Sequence, residues 1–334
     1  MAATIKDIAK QTGLGLATIS SYLNGGNVRE QNRIKIEQAI EELHYEVNEV
    51  ARGLKTNKTK LIGIIIPELN NIFCAEIITE VEDILRAHGY ATMICDCRTD
   101  EKREKEAVEF LKKRRVDGVI VVPSGNKGKH LNLFSKAGIP VVLIDRKLND
   151  IDCDCVLVDN YKGTKEAVHL LIEKGHRKIG MIAGPENVFT AKERLLGYVE
   201  ALKEANLPVE EKLISHGDYT ISGGAIGMRQ LVEQNQDMTA VVISNYEMTM
   251  GAMIEANELQ IQIPEQVSVI GYDNIAFARA CVPKLSIVTQ PTKEIAKNVS
   301  DLMLQRLESY SELTERMVVK LQTGFVEGKS VKGQ

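Results

Sequence analysis

The sequence lacks the features that mark membrane-spanning and secreted proteins. No window of its 334 residues approaches the ~18 consecutive apolar residues of a membrane span. Residues 1–7 contain no basic segment followed by an apolar run, so we predict no secretory signal and a cytoplasmic location. Hydrophobic residues make up 44% of the chain and charged residues 26%, which is typical of a globular protein with two or three domains.

Cysteine is also scarce, because six residues spread over this length do not make a disulfide framework. Cys95 with Cys97 and Cys153 with Cys155 form two closely spaced pairs, and on a strand both thiols of a pair would face the same way. A zinc site is therefore an alternative. Such sites favour two-residue spacers, however, and no histidine cluster completes either pair. Reduced thiols near strand ends are the simpler interpretation, and we predict neither a metal nor a cofactor.

Catalytic motifs are absent from the sequence. It contains no serine elbow, no metalloprotease helix motif, and no phosphate-binding glycine loop after a strand. The glycines in residues 13–15 resemble part of a dinucleotide fingerprint, but they follow a predicted helix instead of a strand. The six histidines are scattered. We therefore predict that the chain is not an enzyme.

Charge gives only a weak indication of a nucleic-acid partner. The net charge is −4; residues 1–60 hold nine Lys or Arg against seven Asp or Glu, and the remainder holds 33 against 39. A mildly basic head thus precedes an acidic body. A prediction of DNA binding must rest on the residue pattern instead.

The first 47 residues are predicted to form three short helices. Thr4 and Asp7 make a near capping box for a helix that ends at about residue 12, where a glycine turn follows. The second helix, about residues 16–23, has Leu16, Ile19 and Leu23 at buried spacing, and the third covers about residues 30–43. Two short helices joined by a glycine turn, with a third behind them, indicate an all-α helix-turn-helix head.

From about residue 60 the chain alternates between strands and helices. Runs of β-branched residues occur at 61–67, 91–95, 118–122 and 141–145. A second set starts after the run at 156–159 and lies at 178–183, 213–216, 240–244 and 267–272. Such runs are typical of parallel sheets covered on both faces. We predict an α/β core of two doubly wound parallel-sheet lobes, a clamshell with a ligand between them, and a long helix at 292–309 that returns to the first lobe.

Polar residues follow several of these strands at their carboxyl ends, where open α/β sheets bind ligands. Any one of them alone could be a simple turn former or helix cap. Their convergence at one cleft favours a ligand rich in hydroxyl groups, with an aromatic ring to cover its apolar face. The candidates are Phe73, Asp145, Arg146, Arg194, Asn245, Asp273 and Gln290.

Several short motifs resemble the lactose-repressor (LacI-type) family of bacterial transcription regulators. They are TIKDIA at 4–9, ATIS at 17–20 with Leu23-Asn24, Asn48 with ARGL at 51–54, GIIIP at 63–67, VDG at 116–118, Gly175-His176 and GYD at 271–273. The resemblance spans nearly the whole chain. It implies a periplasmic-binding-protein-like clamshell behind a DNA-binding domain at 1–47 and a hinge helix or linker at 48–58. The effector-binding and dimerisation core would cover 59–334, with one lobe at about 60–160 and 291–320 and the other at about 161–288 and 321–330.

The resemblance also implies positions for DNA contacts. It matches Thr4, Lys6, Ala17, Thr18, Ser20, Ser21, Asn24, Asn32 and Arg33 to residues that contact bases or phosphates, and Asn48, Ala51 and Leu54 to a hinge helix in the minor groove. Ser21 stands where the family usually has arginine, so a different half-site is expected. Gly15 replaces a serine cap, and Glu46-Val47 replaces Arg-Pro. Tyr22 is also unusual, and it could either pack in the core or reach the groove.

For the cleft, the resemblance supports the strand-end residues and adds Tyr219 and Tyr246; Tyr246 departs from the aspartate that the family often has. It implies a homodimeric repressor, tetramers not excluded, on a pseudo-palindromic operator. A small molecule would switch its affinity for the operator. We expect this effector to be a sugar, and a purine or another metabolite is the alternative. The alternative is a sugar-binding protein without specific DNA binding.

Overall fold

The computed structural model describes residues 3–46, 58–309 and 315–334. The chain forms two compact units, Met1–Lys60 and Leu61–Gln334. Within the described residues, no helix has both the length and the apolar character needed to cross a membrane.

The first unit is a three-helix head with α1 at Ile5–Thr12, α2 at Leu16–Leu23 and α3 at Glu30–Glu42. Asp7 accepts hydrogen bonds from the Thr4 backbone N–H (2.8 Å) and hydroxyl (2.7 Å), which fixes the start of α1. Gly13 then ends α1 with φ at +68°, a conformation that favours glycine. The predicted all-α head is confirmed.

The core of the head is smaller than the periodicity indicated. Ile8, Ile19 and Ile36 are fully buried there, and one residue from each helix thus meets at its centre. Leu16, which we expected to be buried, is 46% exposed. It occupies the first position of α2, and the packing inside the head is completed by Ile19 without it.

The second unit contains two six-stranded sheets. The first sheet has the order β11-β5-β4-β3-β1-β2, and the second has the order β12-β10-β9-β8-β6-β7. The strands are β1 Leu61–Ile66, β2 Ala91–Asp96, β3 Gly118–Val121, β4 Val141–Ile144, β5 Asp154–Val158, β6 Ile179–Ala183, β7 Ile214–His216, β8 Ala240–Ile243, β9 Ser268–Tyr272, β10 Ser286–Thr289, β11 Val318–Leu321 and β12 Gly324–Val326.

Helices connect most of the successive strands, whereas β4 leads to β5 and β11 leads to β12 without one. A 3₁₀ turn at Lys129–Leu131 precedes the shortest of these helices. The helices are α4 Ile72–Ala87, α5 Glu101–Lys113, α6 Asn132–Ser135, α7 Asn160–Glu173, α8 Phe189–Glu204, α9 Ile221–Gln234, α10 Tyr246–Glu258, α11 Ile275–Ala280 and α12 Thr292–Ser309.

Strand direction confirms the prediction of two doubly wound lobes. Every pairing in the first sheet is parallel. In the second sheet only β12 is antiparallel, where it pairs with β10. The central strands β3, β4 and β8 are buried along their whole length, because helices cover both faces of each sheet. We call the first sheet with α4, α5, α6 and α12 the first lobe, and the second sheet with α7–α11 the second lobe.

The chain passes between the lobes three times, after Val158, after Thr289 and after Leu321. The second passage delivers α12 back to the first lobe, where Ile295, Val299 and Met303 join the core of β1, β3 and β4. Each lobe is therefore built from separate parts of the sequence.

A buried ion pair fixes the end of α12 to the first strand after the 145–153 loop. Arg306 and Asp154 are 2% and 1% exposed, and two hydrogen bonds join them: Nε to Oδ2 at 2.7 Å and Nη2 to Oδ1 at 2.8 Å. Asp154 also accepts the backbone N–H of Met317 at 2.8 Å, next to β11. One carboxylate thus holds together three segments that are distant in the sequence.

We expect Arg306→Met to lower the free energy of unfolding by about 3–5 kcal/mol, because it leaves the buried Asp154 charge without its partner. Urea denaturation would measure the loss, with Lys297→Met on the exposed side of the same helix as control. The double variant Asp154→Asn/Arg306→Met should recover much of the loss, since the neutral amide can still accept from Met317. A loss no larger than that of the control would contradict this role.

Candidate functional site

The predicted base-contacting residues lie on α2 of the head. Ala17 is exposed, and Thr18 and Ser21 are partly exposed. Ala17 and Ser21 are one helical turn apart, and Thr18 is three residues from Ser21, so the three share one side of α2. This side carries small side chains and hydroxyl groups but no cation, which distinguishes it from a surface that reads guanine with arginine.

The predicted phosphate-contacting residues lie at helix ends and on α3. Thr4, just before α1, and Lys6, in its first turn, are exposed, while Ser20 and Asn32 are partly buried. Asn24 donates from Nδ2 to the Ser20 carbonyl at 2.6 Å, so it also terminates α2.

Arg33 is held on the head by its own helix. It pairs with Glu30 at 2.9 Å and with Glu37 at 3.7 Å, and its side chain is half exposed. Exposed pairs of this kind are weak, so phosphate could compete for the guanidinium.

Tyr22 packs against the head core instead of standing free. Its ring lies among the apolar residues around Ile8, Ile19 and Ile36, and its hydroxyl donates to Glu37 at 2.9 Å. The hydrogen bond to that carboxylate raises the pKa of Tyr22. Of the two roles that the sequence left open, the structure favours packing. Asn48, Ala51 and Leu54 lie outside the described residues.

In the second unit, the strand-end residues follow the carboxyl ends of one strand in the first sheet and three neighbouring strands in the second. Asp145 and Arg146 follow β4, Asn245 follows β8, Asp273 follows β9, and Gln290 follows β10. Asp145 and Asp273 both have positive φ, +66° and +56°, which is uncommon for residues other than glycine. Backbone strain of this kind is concentrated at functional sites.

Charged residues of the two lobes lie close enough at these strand ends to shift one another's pKa. Burial raises the pKa of Asp145 in the first lobe, while Arg146 and Arg194 act in the opposite direction. Burial raises the pKa of Asp273 in the second lobe to about 6, although Arg194 and Gln290 counteract it and Asp145 adds to it. Residues from both lobes thus act on one another electrostatically, as expected for a shared cleft.

Arg194 occupies the centre of the second-lobe side. It is 4% exposed, donates from Nε to Asn160 Oδ1 at 2.8 Å, and donates from Nη1 to the Ser244 carbonyl. Its guanidinium carbon lies 4.1 Å from the centroid of the Tyr272 ring. Arg194 is therefore fixed by protein groups before any ligand arrives.

Arg146 is held in a similar way on the first-lobe side. It donates from Nη1 to the Pro123 carbonyl at 2.6 Å, and its Nε lies 3.9 Å from Asp145 Oδ2. It therefore orders the loop after β3 and partly neutralises Asp145.

Some buried acceptors of the cleft lack a protein donor. Within the part of the chain that the structure describes, Asp145 Oδ1 and Gln290 Oε1 have no hydrogen-bond partner. Gln290 uses its amide nitrogen on both Asp273 oxygens, at 3.1 and 3.0 Å, which leaves the carbonyl oxygen available. Unsatisfied buried acceptors favour a ligand that brings donors, such as hydroxyl groups.

Phe73 differs from the expectation that its ring would cover the apolar face of a ligand. That side chain is 9% exposed and belongs to the apolar core of the first lobe, so it offers little open ring surface for a sugar. Tyr219 is partly exposed, with its hydroxyl 3.5 Å from Thr190 Oγ1 and its ring close against Gly184. Tyr246 packs edge to face on Phe277, with centroids 5.6 Å apart.

Sequence reasoning missed residues that support the cleft from behind or across it. Asn160, Ser244 and Tyr272 are fully buried and hold Arg194, and Glu247 connects the lobes by accepting a hydrogen bond from Asn71. Tyr272 and Ser244 sit at strand ends, so the rule that selected their neighbours could have found them. Glu247 has no such signal, because a glutamate in the first turn of a helix is usually exposed.

The cysteines are free thiols in buried or half-buried positions. All six are free, and burial raises the pKa of Cys97 and of Cys153 to about 12. Among the described residues, no group of three or more possible metal ligands occurs.

Comparison with known proteins gives matches over both units. Residues 4–48 match the family profile described as bacterial regulatory proteins, lacI family. Residues 59–326 match the profile described as periplasmic binding proteins and sugar binding domain of LacI family. The transcriptional repressor PurR of Pectobacterium carotovorum subsp. carotovorum is 35% identical over 332 residues, which cover 98% of this chain and 97% of that protein.

Solved structures are similar over the whole chain as well. A complex of the transcriptional regulator CelR with cellobiose has a TM-score of 0.76 at 29% identity, and covers 98% of this chain and 100% of its own. The lac repressor dimer bound to operator and the anti-inducer ONPF has a TM-score of 0.88 at 23% identity, covering 99% and 100%. At that identity the second likeness establishes the fold alone.

The raised pKa of Asp273 predicts a pH dependence of stability. The usual pKa of 3.8 applies in the unfolded chain and about 6 in the folded one, so the folded state retains a proton that the unfolded state loses. The free energy of unfolding should therefore fall as pH rises from about 4 to about 6, by about 2–3 kcal/mol from this group.

Asp273→Asn should flatten this dependence, as measured by urea unfolding at several pH values, whereas Asp237→Asn on the exposed surface should not. Asp145 and Glu247 also have a raised pKa, so part of the slope will remain. An unchanged slope in Asp273→Asn would show that the carboxyl is ionised normally in the folded chain.

Proposed function

The chain belongs to the lacI family of bacterial regulatory proteins, and from this premise we propose that a sugar bound between its lobes switches its affinity for a pseudo-palindromic operator. Membership makes it a DNA-binding transcriptional repressor with a ligand-binding core, and not an enzyme. It acts as a dimer, since two-fold protein symmetry matches two-fold operator symmetry. We place this activity in the cytoplasm.

The observation that carries the proposal is the pairing of the two units in one chain. A helix-turn-helix head matches the regulatory profile, and a two-lobed core matches the sugar-binding profile. The organisation that we propose follows: a DNA-binding domain at 1–47, a hinge at 48–58 and an effector-binding and dimerisation core at 59–334. A sugar-binding protein without DNA recognition would have no use for the head.

We propose that the head reads DNA through the exposed side of α2. Ala17, Thr18 and Ser21 would contact bases, and Thr4, Lys6 and Arg33 would contact phosphates together with Ser20, Asn24 and Asn32. The hinge residues Asn48, Ala51 and Leu54 would enter the minor groove. Because Ser21 replaces the arginine that is usual in the family, the half-site should not depend on a bidentate guanine contact at that position.

We propose that the effector is a neutral sugar. CelR was solved with cellobiose, and the cleft of this chain presents the unsatisfied acceptors Asp145 Oδ1 and Gln290 Oε1. Hydroxyl groups can satisfy both acceptors at once. Closure of the lobes on the sugar would then order or melt the hinge in both subunits, which couples two distinct sites.

DNA selection from a randomised library with the full-length protein would test the operator proposal. We expect enrichment of a sequence with two inverted half-sites. Thr18→Ala should weaken binding to that sequence by about five-fold through loss of one hydroxyl contact. Binding to unrelated DNA should be unchanged, as should specific binding by the matched variant Thr79→Ala on α4. No enrichment at moderate salt would refute the proposal.

A thermal-shift screen of sugars on the full-length protein would identify the effector. Asp145→Asn should weaken binding of the sugar found by about ten-fold or more, because it replaces an unsatisfied buried acceptor with a donor. Operator affinity without sugar should stay near the wild-type value. Asp301→Asn, on the exposed side of α12, serves as the control. Equal affinity of Asp145→Asn and wild type would move the binding site elsewhere.

A further inference from the structure

One carboxylate joins the two lobes. Glu247 lies in the first turn of α10 in the second lobe, and its Oε1 accepts a hydrogen bond from Asn71 Nδ2 of the first lobe at 2.8 Å. Its Oε2 accepts from Asn245 Nδ2 at 2.6 Å. We call the Asn71–Glu247 hydrogen bond, with Asn245 beside it, the clasp.

Both asparagines are fixed by a second task. Asn71 caps α4, where its Oδ1 accepts the Cys74 backbone N–H at 3.0 Å. Asn245 caps α10 in the same way, accepting the Met248 backbone N–H at 3.0 Å. Because the oxygens are committed to the caps, each amide must turn its NH₂ group toward Glu247.

The arrangement uses two separate acceptor atoms, because each asparagine amide donates to a different oxygen of Glu247. An ionised carboxylate offers two, whereas a glutamine offers one acceptor and one donor. The carboxylate also lies at the N-terminal ends of α4 and α10, where helix dipoles favour negative charge. The clasp therefore links the ends of two helices that belong to different lobes.

We propose that the clasp holds the lobes of the effector-free protein together, and that Glu247 is a positioning residue which sets operator affinity before effector binds. The second part rests on the proposed function, because it requires lobe movement to be coupled to the head. The first part concerns the core alone, so the two can be tested separately.

The hydrogen bond can be broken from either side and then rebuilt with its polarity reversed. Asn71→Asp keeps the cap on α4 but places two carboxylates face to face. Glu247→Gln turns a donor toward one of the two asparagine amides. The double variant Asn71→Asp/Glu247→Gln restores every contact, since the new amide can donate to the new carboxylate and still accept from Asn245. Glu258→Gln, at the exposed end of α10, is the matched control.

Amide hydrogen exchange of the full-length protein, read by mass spectrometry, reports on the lobe that was not mutated. Asn71→Asp should speed exchange at the start of α10, and Glu247→Gln should speed it at the start of α4, each by about ten-fold. The double variant should return both regions to near wild-type rates, and the control should change neither. If each single variant affected only its own lobe, or the double variant failed to restore protection, the clasp would be refuted.

Operator affinity without effector tests the regulatory part. Both single variants should shift it in the same direction by about ten-fold, and the double variant should restore it. Clasp opening with no change in operator affinity would overturn the regulatory role, while the selection experiment on the head would still decide the proposed function. If Asn71→Asp does not fold, Asn71→Ser takes its place, because the hydroxyl can cap α4 but is too short to reach Glu247.

Discussion

A buried guanidinium is stable only when groups that accept its hydrogen bonds and balance its charge surround it. In this core, Arg194 therefore constrains the positions of the elements around it in the second lobe. Its partners are the first residue of α7, the carbonyl just after β8 and the ring that ends β9. These elements can meet Arg194 only if their ends lie close together around it. The charge therefore fixes the edge of the sheet at which Asn245 and Asp273 stand, and the cleft is ordered before a ligand enters it.

Periodicity was sufficient to predict most of the fold. The alternation of β-branched runs with helices predicted both sheets, because strands buried on both faces need continuous apolar runs such as Val141–Ile144. The edge strands β11 and β12 escaped this reasoning. Their residues are largely exposed or half-buried, so Val318–Leu321 carries a weaker apolar signal than a central strand. Leu16 was misjudged for a related reason, since spacing cannot tell where a helical stripe stops contacting the core.

The cleft was predictable only as far as strand ends are visible in sequence. Asp145, Asn245 and Asp273 were found because each directly follows an apolar run. The protonation state of these carboxyl groups was not predictable. The pKa of Asp273, for example, depends on burial and on Arg194, which lies 79 positions earlier in the sequence. Phe73 shows the converse, because its position opens a helix at the cleft while its side chain turns into the core. Contacts between the lobes, such as that of Glu247 with Asn71, produce no periodic pattern in the sequence, so periodicity could not predict them.

The ion pair between Asp154 and Arg306 has a consequence for synthesis of the chain. The two residues are 152 positions apart, so a ribosome completes β5 long before the arginine that neutralises it has been made. Throughout that interval the first lobe also lacks α12 and β11. At ~5–20 residues per second, the delay amounts to about 8–30 seconds. During this interval the first sheet of the nascent chain is incomplete. A product truncated before Arg306 would lack the contacts that complete the first lobe.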